Sequence, residues 1–160
     1  MRTNMTSQET QLFVDHETIR LTREGIWLSN GQEITHHEQR RAFARHLGHD
    51  NEGWFIQIGE NFKRIEVEDT AYFVEGLKGS PAAGYGLHLS GDSHEKLDPS
   101  TLKYRPGRLT CRIHGGTLEA KFLTTSYFEL LSYLEEDQDF YFLKIQGKRI
   151  VLVRKDSEPA

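Results

Sequence analysis

Three carboxylates crowd the end of one predicted strand and are the strongest candidates for chemistry in this sequence. They are Glu66, Glu68 and Asp69. Mutual repulsion between carboxylates held close together raises the pKa of one of them, which suits general acid–base catalysis. The competing interpretation is a solvated strand face whose acids lie near the cations Lys63 and Arg64. A hydrolase that uses these carboxylates is therefore one hypothesis.

Polar side chains near predicted strand ends also suit a binding site without catalysis. The candidate contacts to a ligand are Lys63, Glu68, Asp69 and Lys121, which together carry both signs of charge. No nucleophile with an apparent base accompanies them in the sequence. This pattern favours a small-ligand or peptide-binding module over an enzyme.

Histidine and cysteine spacing argues against a metal or thiol centre. The sequence has eight histidines, but the adjacent His36 and His37 diverge around a helix by about 100° and cannot share one ion. The single cysteine, Cys111, alternates with Leu109 and Ile113 and is expected on the buried side of a strand. We expect no metal and no cofactor.

Common catalytic motifs are missing from the sequence. The segment Gly84-Tyr85-Gly86-Leu87-His88-Leu89 begins like a dinucleotide fingerprint but lacks its third glycine, the strand before it and the helix after it. A phosphate-binding Walker loop, a nucleophile elbow and a paired His–Glu zinc motif are likewise absent. The sequence therefore offers no common catalytic signature from which to assign an activity.

Two predicted helical regions carry opposite charge and are candidates for partner binding. The first contains Arg40, Arg41 and Arg45, and the second runs into a group of acids that includes Glu135 and Glu136. Each group would suit a surface of opposite charge. The partner could be a second copy of the chain or a different protein, and a purely structural, oligomerising role is a further alternative.

Composition limits the class of protein. The 160 residues are 36% hydrophobic and 28% charged, as in ordinary globular proteins, and the formal net charge is −4. An acidic balance provides no overall attraction to nucleic acid or to anionic membranes, so neither is an expected partner. One cysteine and the lack of an evident signal peptide or membrane span predict a cytoplasmic protein.

Hydrophobic periodicity predicts that these residues lie on short strands and two helices. Apolar alternation and glycine turns predict strand pairs on either side of two capped helices, one starting at the capping box Thr35 to Glu38 and ending at Gly48, the other starting at Ser126 to Glu129. The sequence predicts a flexible segment at 1–16, a β-β-α-β-β subdomain at 17–78, a Gly/Pro-rich connection with a short strand at 79–107, a second β-β-α-β-β subdomain at 108–154 and a tail at 155–160.

The two halves also match in residues. Trp54-Phe55-Ile56-Gln57-Ile58, followed by Lys63-Arg64-Ile65, aligns with Tyr141-Phe142-Leu143-Lys144-Ile145, followed by Lys148-Arg149-Ile150. We interpret the match as an internal duplication. The predicted fold is α+β, with two similar small, mostly antiparallel sheets that each carry one helix and pack together, and a ligand cleft between them.

Several segments, taken in order, resemble the bacterial family catalogued as domain of unknown function 1285 (DUF1285). They are Ile19-Arg20-Leu21-x-x-x-Gly25-Ile26-Trp27, Trp54-Phe55-Ile56, Ile65-Glu66-Val67-Glu68-Asp69, Ala71-Tyr72-Phe73-Val74 and Gly115-Gly116-x-x-Glu119-Ala120-Lys121-Phe122. The resemblance implies a fold of repeated motifs and a role in signalling or ligand binding. The sequence departs from the family pattern around residues 58–63, where only Lys63 matches, and at residues 143–147.

Overall fold

The structure, a computed structural model, describes residues 12–14 and 16–157. The chain divides into two compact units, Met1–Ala71 and Tyr72–Ala160, called unit 1 and unit 2 below. Both combine helix with mostly antiparallel sheet, so the predicted α+β class is confirmed. The boundary between the units differs from the expected connection at residues 79–107, because the strand that begins at Tyr72 hydrogen-bonds to strands that follow it.

Unit 1 contains seven described strands and one described helix. In chain order they are β1 (Ile19–Leu21), β2 (Trp27–Ser29), β3 (Gln32–Glu33), α1 (His37–Arg45), β4 (Leu47–Asp50), β5 (Gly53–Ile58), β6 (Asn61–Arg64) and β7 (Glu66–Val67). One sheet has the order β3-β2-β1-β7, with β7 parallel to β1, and the other is the antiparallel sheet β4-β5-β6. The alternating burial of β1 puts Ile19 and Leu21 in the core, where Trp27 meets Phe43 of α1 edge-on at 5.5 Å between ring centroids.

Unit 2 contains nine strands and one α-helix among its described residues. They are β8 (Tyr72–Ser80), β9 (Gly84–Leu89), β10 (His94–Lys96), β11 (Lys103–Arg105), β12 (Arg108–Ile113), β13 (Leu118–Phe122), α2 (Thr124–Leu131), β14 (Glu135–Glu136), β15 (Phe140–Ile145) and β16 (Lys148–Arg154). A six-stranded sheet has the order β10-β9-β8-β13-β12-β11, and a three-stranded sheet has the order β14-β15-β16. Short 3₁₀ turns lie at Pro99–Thr101 and Lys155–Ser157.

One face of the six-stranded sheet forms the core of unit 2. Leu87, Leu109 and Ile113 from that sheet pack in the same cluster as Leu130 of α2 and Leu143 of β15, and each is at most 1% exposed. Polar residues alternate with these positions along the strands and lie on the opposite, outer face. The core therefore dictates which side chains of β8, β9 and β10 point outward.

The Gly/Pro-rich stretch is more ordered than its composition predicts. Residues 79–107 hold the end of β8, all of β9, β10 and β11 and one 3₁₀ turn, in place of the expected connection with one short strand. Glycine here supports tight pairing: Gly79 has φ +123°, and a Cβ on it would lie 2.1 Å from the carbonyl oxygen of Gly84. Glycine marks a close approach of two strands at this position, which composition cannot distinguish from a loop.

Both predicted capping boxes are wrong in detail. The N-cap of α1 is His36, one residue after Thr35, and no side chain caps it. The helix ends at Arg45, while the expected stop, Gly48, lies inside β4. The N–H of His46 continues the helical bonds to the carbonyls of Ala42 and Phe43, so the helix ends without a glycine.

The second helix begins before its predicted cap. Its N-cap is Leu123, and Ser126 is fully buried in the first turn. The Ser126 hydroxyl donates to the carbonyl oxygen of Val74 at 2.7 Å, so this serine attaches the helix to β8 instead of capping it. The helix ends at Leu131, so Glu135 and Glu136 lie on β14 and not on a helix.

The matched segments of the two halves occupy equivalent places. Trp54 to Ile58 and Tyr141 to Ile145 are the central strands of three-stranded antiparallel sheets, and each sheet follows a helix in the chain. The strands before each helix differ, because unit 1 forms a four-stranded sheet there and unit 2 a six-stranded one. The likeness of the halves is therefore restricted to the helix and the sheet after it.

Candidate functional site

The four predicted ligand contacts are divided between the units. Lys63 lies on β6, paired with Ile56, and Glu68 and Asp69 follow β7. Lys121 lies on β13 of unit 2, paired with Thr110 of β12 and with Phe73 of β8. The proposed cleft between the halves stays a prediction.

Arg20 and Arg23 contact the carboxylates near β7. Arg20 Nη2 lies 3.2 Å from Glu66 Oε1, and Arg20 Nη1 lies 3.5 Å from Glu68 Oε2. The backbone N–H of Arg23 donates to Glu68 Oε1 at 3.0 Å. Parallel pairing of β1 with β7 brings these groups together, since Arg20 is directly opposite Glu66. This arrangement favours the solvated, ion-paired interpretation.

The predicted partner-binding charges also have contacts within the chain. Arg40, Arg41 and Arg45 lie on α1, and Arg41 pairs with Glu38 at 3.4 Å. On β14, Glu136 pairs with Lys155 at 2.9 Å, and Glu135 is exposed. These charges are available at the surface, but part of each group is already compensated.

A different set of residues forms a concave basic surface on the outer face of the six-stranded sheet. A cavity of about 530 Å³ lies over β8, β9 and β10. The side chains and glycines on this face, called the basin from here on, are Gly76, Lys78, Gly86, His88, His94 and Lys96. They come from three adjacent strands, so the register of the sheet determines their arrangement.

Two rows of residues cross the three strands. In the first row Gly86 lies between Lys78 and Lys96, with each pair directly opposite in the antiparallel register. Residues directly opposite in such a register point to the same face. Gly86 has no side chain, so the two lysines stand roughly 10 Å apart at their Cα atoms, two strand spacings, with open space between them.

The second row forms one wall of the basin. His88 lies between Gly76 and His94 in register, and the rings of His88 and His94 stack at 4.8 Å with an interplanar angle of 10°. His88 Nε2 lies 2.9 Å from Asp92 Oδ1. A carboxylate only accepts, so this nitrogen carries the proton and the ring orientation is held. Gly76, like Gly86, leaves the sheet backbone uncovered.

The basin has the chemistry of an anion site. Lysine ammonium groups are point donors for phosphate or carboxylate oxygens, and a floor of glycines lets a ligand approach the backbone closely. Glu95 lines the rim, but its carboxylate accepts from the backbone N–H of His114 at 2.7 Å. It faces away from the lysines because it is opposite the buried Leu87.

Among the described residues that line the basin, none is a serine, threonine or cysteine. The thiol of Cys111 is 1% exposed in the row with Leu109 and Ile113, as predicted, and burial raises its pKa to about 12. Such a thiol is protonated and shielded at neutral pH. Within residues 12–14 and 16–157, no group of three or more His, Cys, Asp or Glu side chains is placed to hold a metal ion.

The basin leaves only a partial signal in the sequence. The segment Gly84 to Leu89 has the pattern of an incomplete nucleotide-binding motif and of a short strand. Its alternation places Tyr85, Leu87 and Leu89 in the core, which predicts an outer face of Gly86 and His88. The two flanking lysines could not be placed beside Gly86 without the strand register.

Comparisons with known proteins place the fold. A crystal structure of a DUF1285 family protein from Silicibacter pomeroyi DSS-3 has a TM-score of 0.66 at 15% identity, covering 86% of this chain and 80% of that one. A DUF1285 family protein from Shewanella baltica OS155 has a TM-score of 0.57 at 16% identity, covering 74% of this chain and 94% of that one. The predicted resemblance to this family is confirmed at the level of fold.

Comparisons of the sequence with family models and with curated proteins give no match. Among the described helices, none is both long and apolar enough to cross a membrane.

Proposed function

We propose that this DUF1285-like chain is a non-catalytic binding module whose unit 2 takes a small anionic ligand in the basin. The ligand carries a phosphate or carboxylate group that lies between Lys78 and Lys96. The observation that carries the proposal is the register of these two lysines on either side of Gly86. We place the module in the cytoplasm, in keeping with its single cysteine.

The size of the cavity supports a metabolite-sized ligand. Small-molecule sites typically enclose roughly 300–1,000 Å³, and the basin holds about 530 Å³. The flat floor at Gly76 and Gly86 and the stacked rings of His88 and His94 would contact the body of the ligand. The lysines would bind its charge.

The contacts of the other candidate groups favour binding over catalysis. A hydrolase would need an accessible nucleophile or a carboxylate free to exchange protons. Arg20 and Arg23 are bound to the carboxylate of Glu68, and the Cys111 thiol is buried. The hydrolase hypothesis therefore has less support than the binding hypothesis.

Ligand titration against matched variants tests the proposal. The full chain is titrated calorimetrically with inorganic phosphate, citrate and a panel of phosphorylated metabolites. Lys78→Ala and Lys96→Ala should each weaken a detected ligand by about 10- to 100-fold, the range for losing one charge-assisted hydrogen bond. The control is the double variant Lys144→Ala, Lys148→Ala, which removes two exposed lysines from the other sheet of unit 2.

The result that contradicts the proposal is equally definite. If no anion on the panel binds, or if the control pair weakens binding as much as the basin lysines do, the basin is not the site. Thermal unfolding with and without ligand provides a second readout, because a ligand at 100 times its Kd stabilises the folded state by roughly 2.7 kcal/mol.

A further inference from the structure

A second concave surface of unit 2 lies away from the basin and has a different character. Its centre is a cavity of about 150 Å³ bounded by apolar and aromatic side chains from α2, β11, β15 and β16 and from the segment after α2. These are Tyr104, Leu131, Leu134, Tyr141, Leu152 and Val153, called the apolar groove from here on. Leu134 is 39% exposed and the neighbouring Tyr133 is 49% exposed, so apolar surface remains uncovered here.

A basic groove adjoins the apolar one. It has a volume of about 480 Å³ and shares Tyr104 and Leu152 with the apolar groove. Its charged lining residues are Lys103, Arg105, Arg108 and Glu119. Glu119 pairs with Arg108 at 3.4 Å, which leaves the charges of Lys103 and Arg105 in excess. An occupant that spans both grooves must therefore combine an apolar group with negative charge.

The volumes decide between kinds of occupant. A cavity of about 150 Å³ is below the roughly 300 Å³ of typical small-molecule sites, and it suits one large side chain. Protein interfaces concentrate their binding energy in such pockets, each filled by a single apolar or aromatic anchor. A long acyl chain would need a deeper cavity.

The two ends of the apolar groove differ in charge. Glu136 of β14 is directly opposite Tyr141 in register, so both point to the same face. Lys155 lies 2.9 Å from Glu136 and 5.1 Å from the Tyr141 ring centroid, which keeps this acid beside the groove. Negative charge on an occupant is therefore favoured on the β11 side, whereas the paired Glu136 and Lys155 add no net charge on the β14 side.

The geometry points to a docking surface for an acidic segment of a partner protein. The segment inserts one leucine or aromatic side chain into the apolar groove and places carboxylates on Lys103 and Arg105. This surface is independent of the anion basin, with which it shares no residue.

Synthetic peptides test the surface on the full chain by fluorescence polarisation. The probe is a labelled peptide with one leucine or phenylalanine among glutamates. One comparison peptide has serine in place of the apolar residue, and another has lysines in place of the glutamates. The probe should bind at least about 10-fold more tightly than either comparison peptide.

Variants identify the groove as the binding surface. Leu134→Asp should weaken binding of the probe at least about 10-fold, whereas Val151→Asp, at a somewhat more exposed apolar position on β16, should not. Reversing charge with Lys103→Glu and Arg105→Glu should also abolish binding, with Lys144→Glu and Lys148→Glu as the control. The charge-reversal pair keeps the test decisive if Leu134→Asp does not fold.

Three outcomes would overturn the inference. The first is equal binding of all three peptides. The second is sedimentation as a dimer that Leu134→Asp dissociates, which would make the occupant a second copy. The third is saturable binding of a fatty acid that displaces the probe. Lys78→Ala and Lys96→Ala should leave the peptide affinity unchanged, so failure here is distinguishable from failure of the anion site.

Discussion

Arg64 binds Asp50 with both arms of its guanidinium group. Nη1 donates to Oδ1 at 2.7 Å and Nη2 donates to Oδ2 at 3.1 Å, and the guanidinium carbon lies 5.4 Å from the centre of the Phe55 ring. Asp50 also accepts from the backbone N–H of Glu52 at 2.9 Å. One aspartate thus joins the turn after β4 to the third strand of its sheet.

The same relationship recurs in unit 2. Asp137 accepts from the backbone N–H groups of Asp139 and Phe140, both at 2.8 Å, and from Arg149. The Arg149 guanidinium carbon lies 4.1 Å from the centre of the Phe142 ring. Aspartate, aromatic residue and arginine occur in the same order as in unit 1. The shared interaction supports the internal duplication and extends it to a residue pair that the sequence alignment left out.

The ion pair in unit 2 predicts an acid-dependent loss of stability. Backbone hydrogen bonds from Asp139 and Phe140, and then Arg149, lower the pKa of Asp137 from 3.8 to about 2. A lowered pKa means that folding favours the ionised carboxylate. The stabilisation is complete above about pH 4 and is lost as the pH falls through about 2.

Urea unfolding across this range measures the effect. The difference in unfolding free energy between the original chain and Asp137→Asn should be constant near neutral pH and shrink below pH 4. Asp139→Asn removes the same charge two residues away and is the control. A difference that did not change with pH would show that the carboxylate charge of Asp137 contributes nothing to folding.

Two glycines of unit 2 should respond oppositely to substitution. A Cβ on Gly86 would lie no closer than 3.8 Å to another atom, and its φ is not positive, so Gly86→Val is expected to fold. Valine should stabilise the strand by roughly 0.5–1 kcal/mol, because glycine is unfavourable in strand interiors. The valine side chain should also fill the basin and block anion binding.

Gly79 is the matched comparison for Gly86. Its φ of +123° and the 2.1 Å approach of a Cβ to the Gly84 carbonyl oxygen both exclude a side chain. We expect Gly79→Ala to lower the free energy of unfolding by at least about 1–3 kcal/mol. Denaturant unfolding measures both variants, and equal effects of the two substitutions would contradict the assigned strand geometry.

The buried serine of α2 should stabilise unit 2 measurably. Ser126→Ala removes the hydroxyl that donates to Val74, and we expect a loss of about 1 kcal/mol, because that carbonyl keeps the N–H of Leu123 as a partner. Ser132→Ala removes an exposed hydroxyl bond to Glu129 and should change stability by less than about 0.5 kcal/mol. Equal losses would show that the bond to β8 adds nothing.

Local sequence patterns were sufficient for most strands. The alternation of apolar residues predicted the strand that carries Leu109, Cys111 and Ile113, because a half-buried strand requires a period of two. The same reasoning predicted that Cys111 is buried. Helix ends were less predictable, since Ser126 could cap a helix or bind a neighbouring strand, and only the position of Val74 decides which.

By itself, the sequence determined the α+β class, the resemblance to DUF1285 proteins and the repeated strand with its Lys-Arg pair, because each depends on residues close together in the chain. Tertiary structure alone decided that Arg20 pairs with Glu66 and Glu68, and that Lys78 and Lys96 lie on either side of Gly86. Strand register brings these residues together, and register depends on pairing between distant segments that local patterns do not specify.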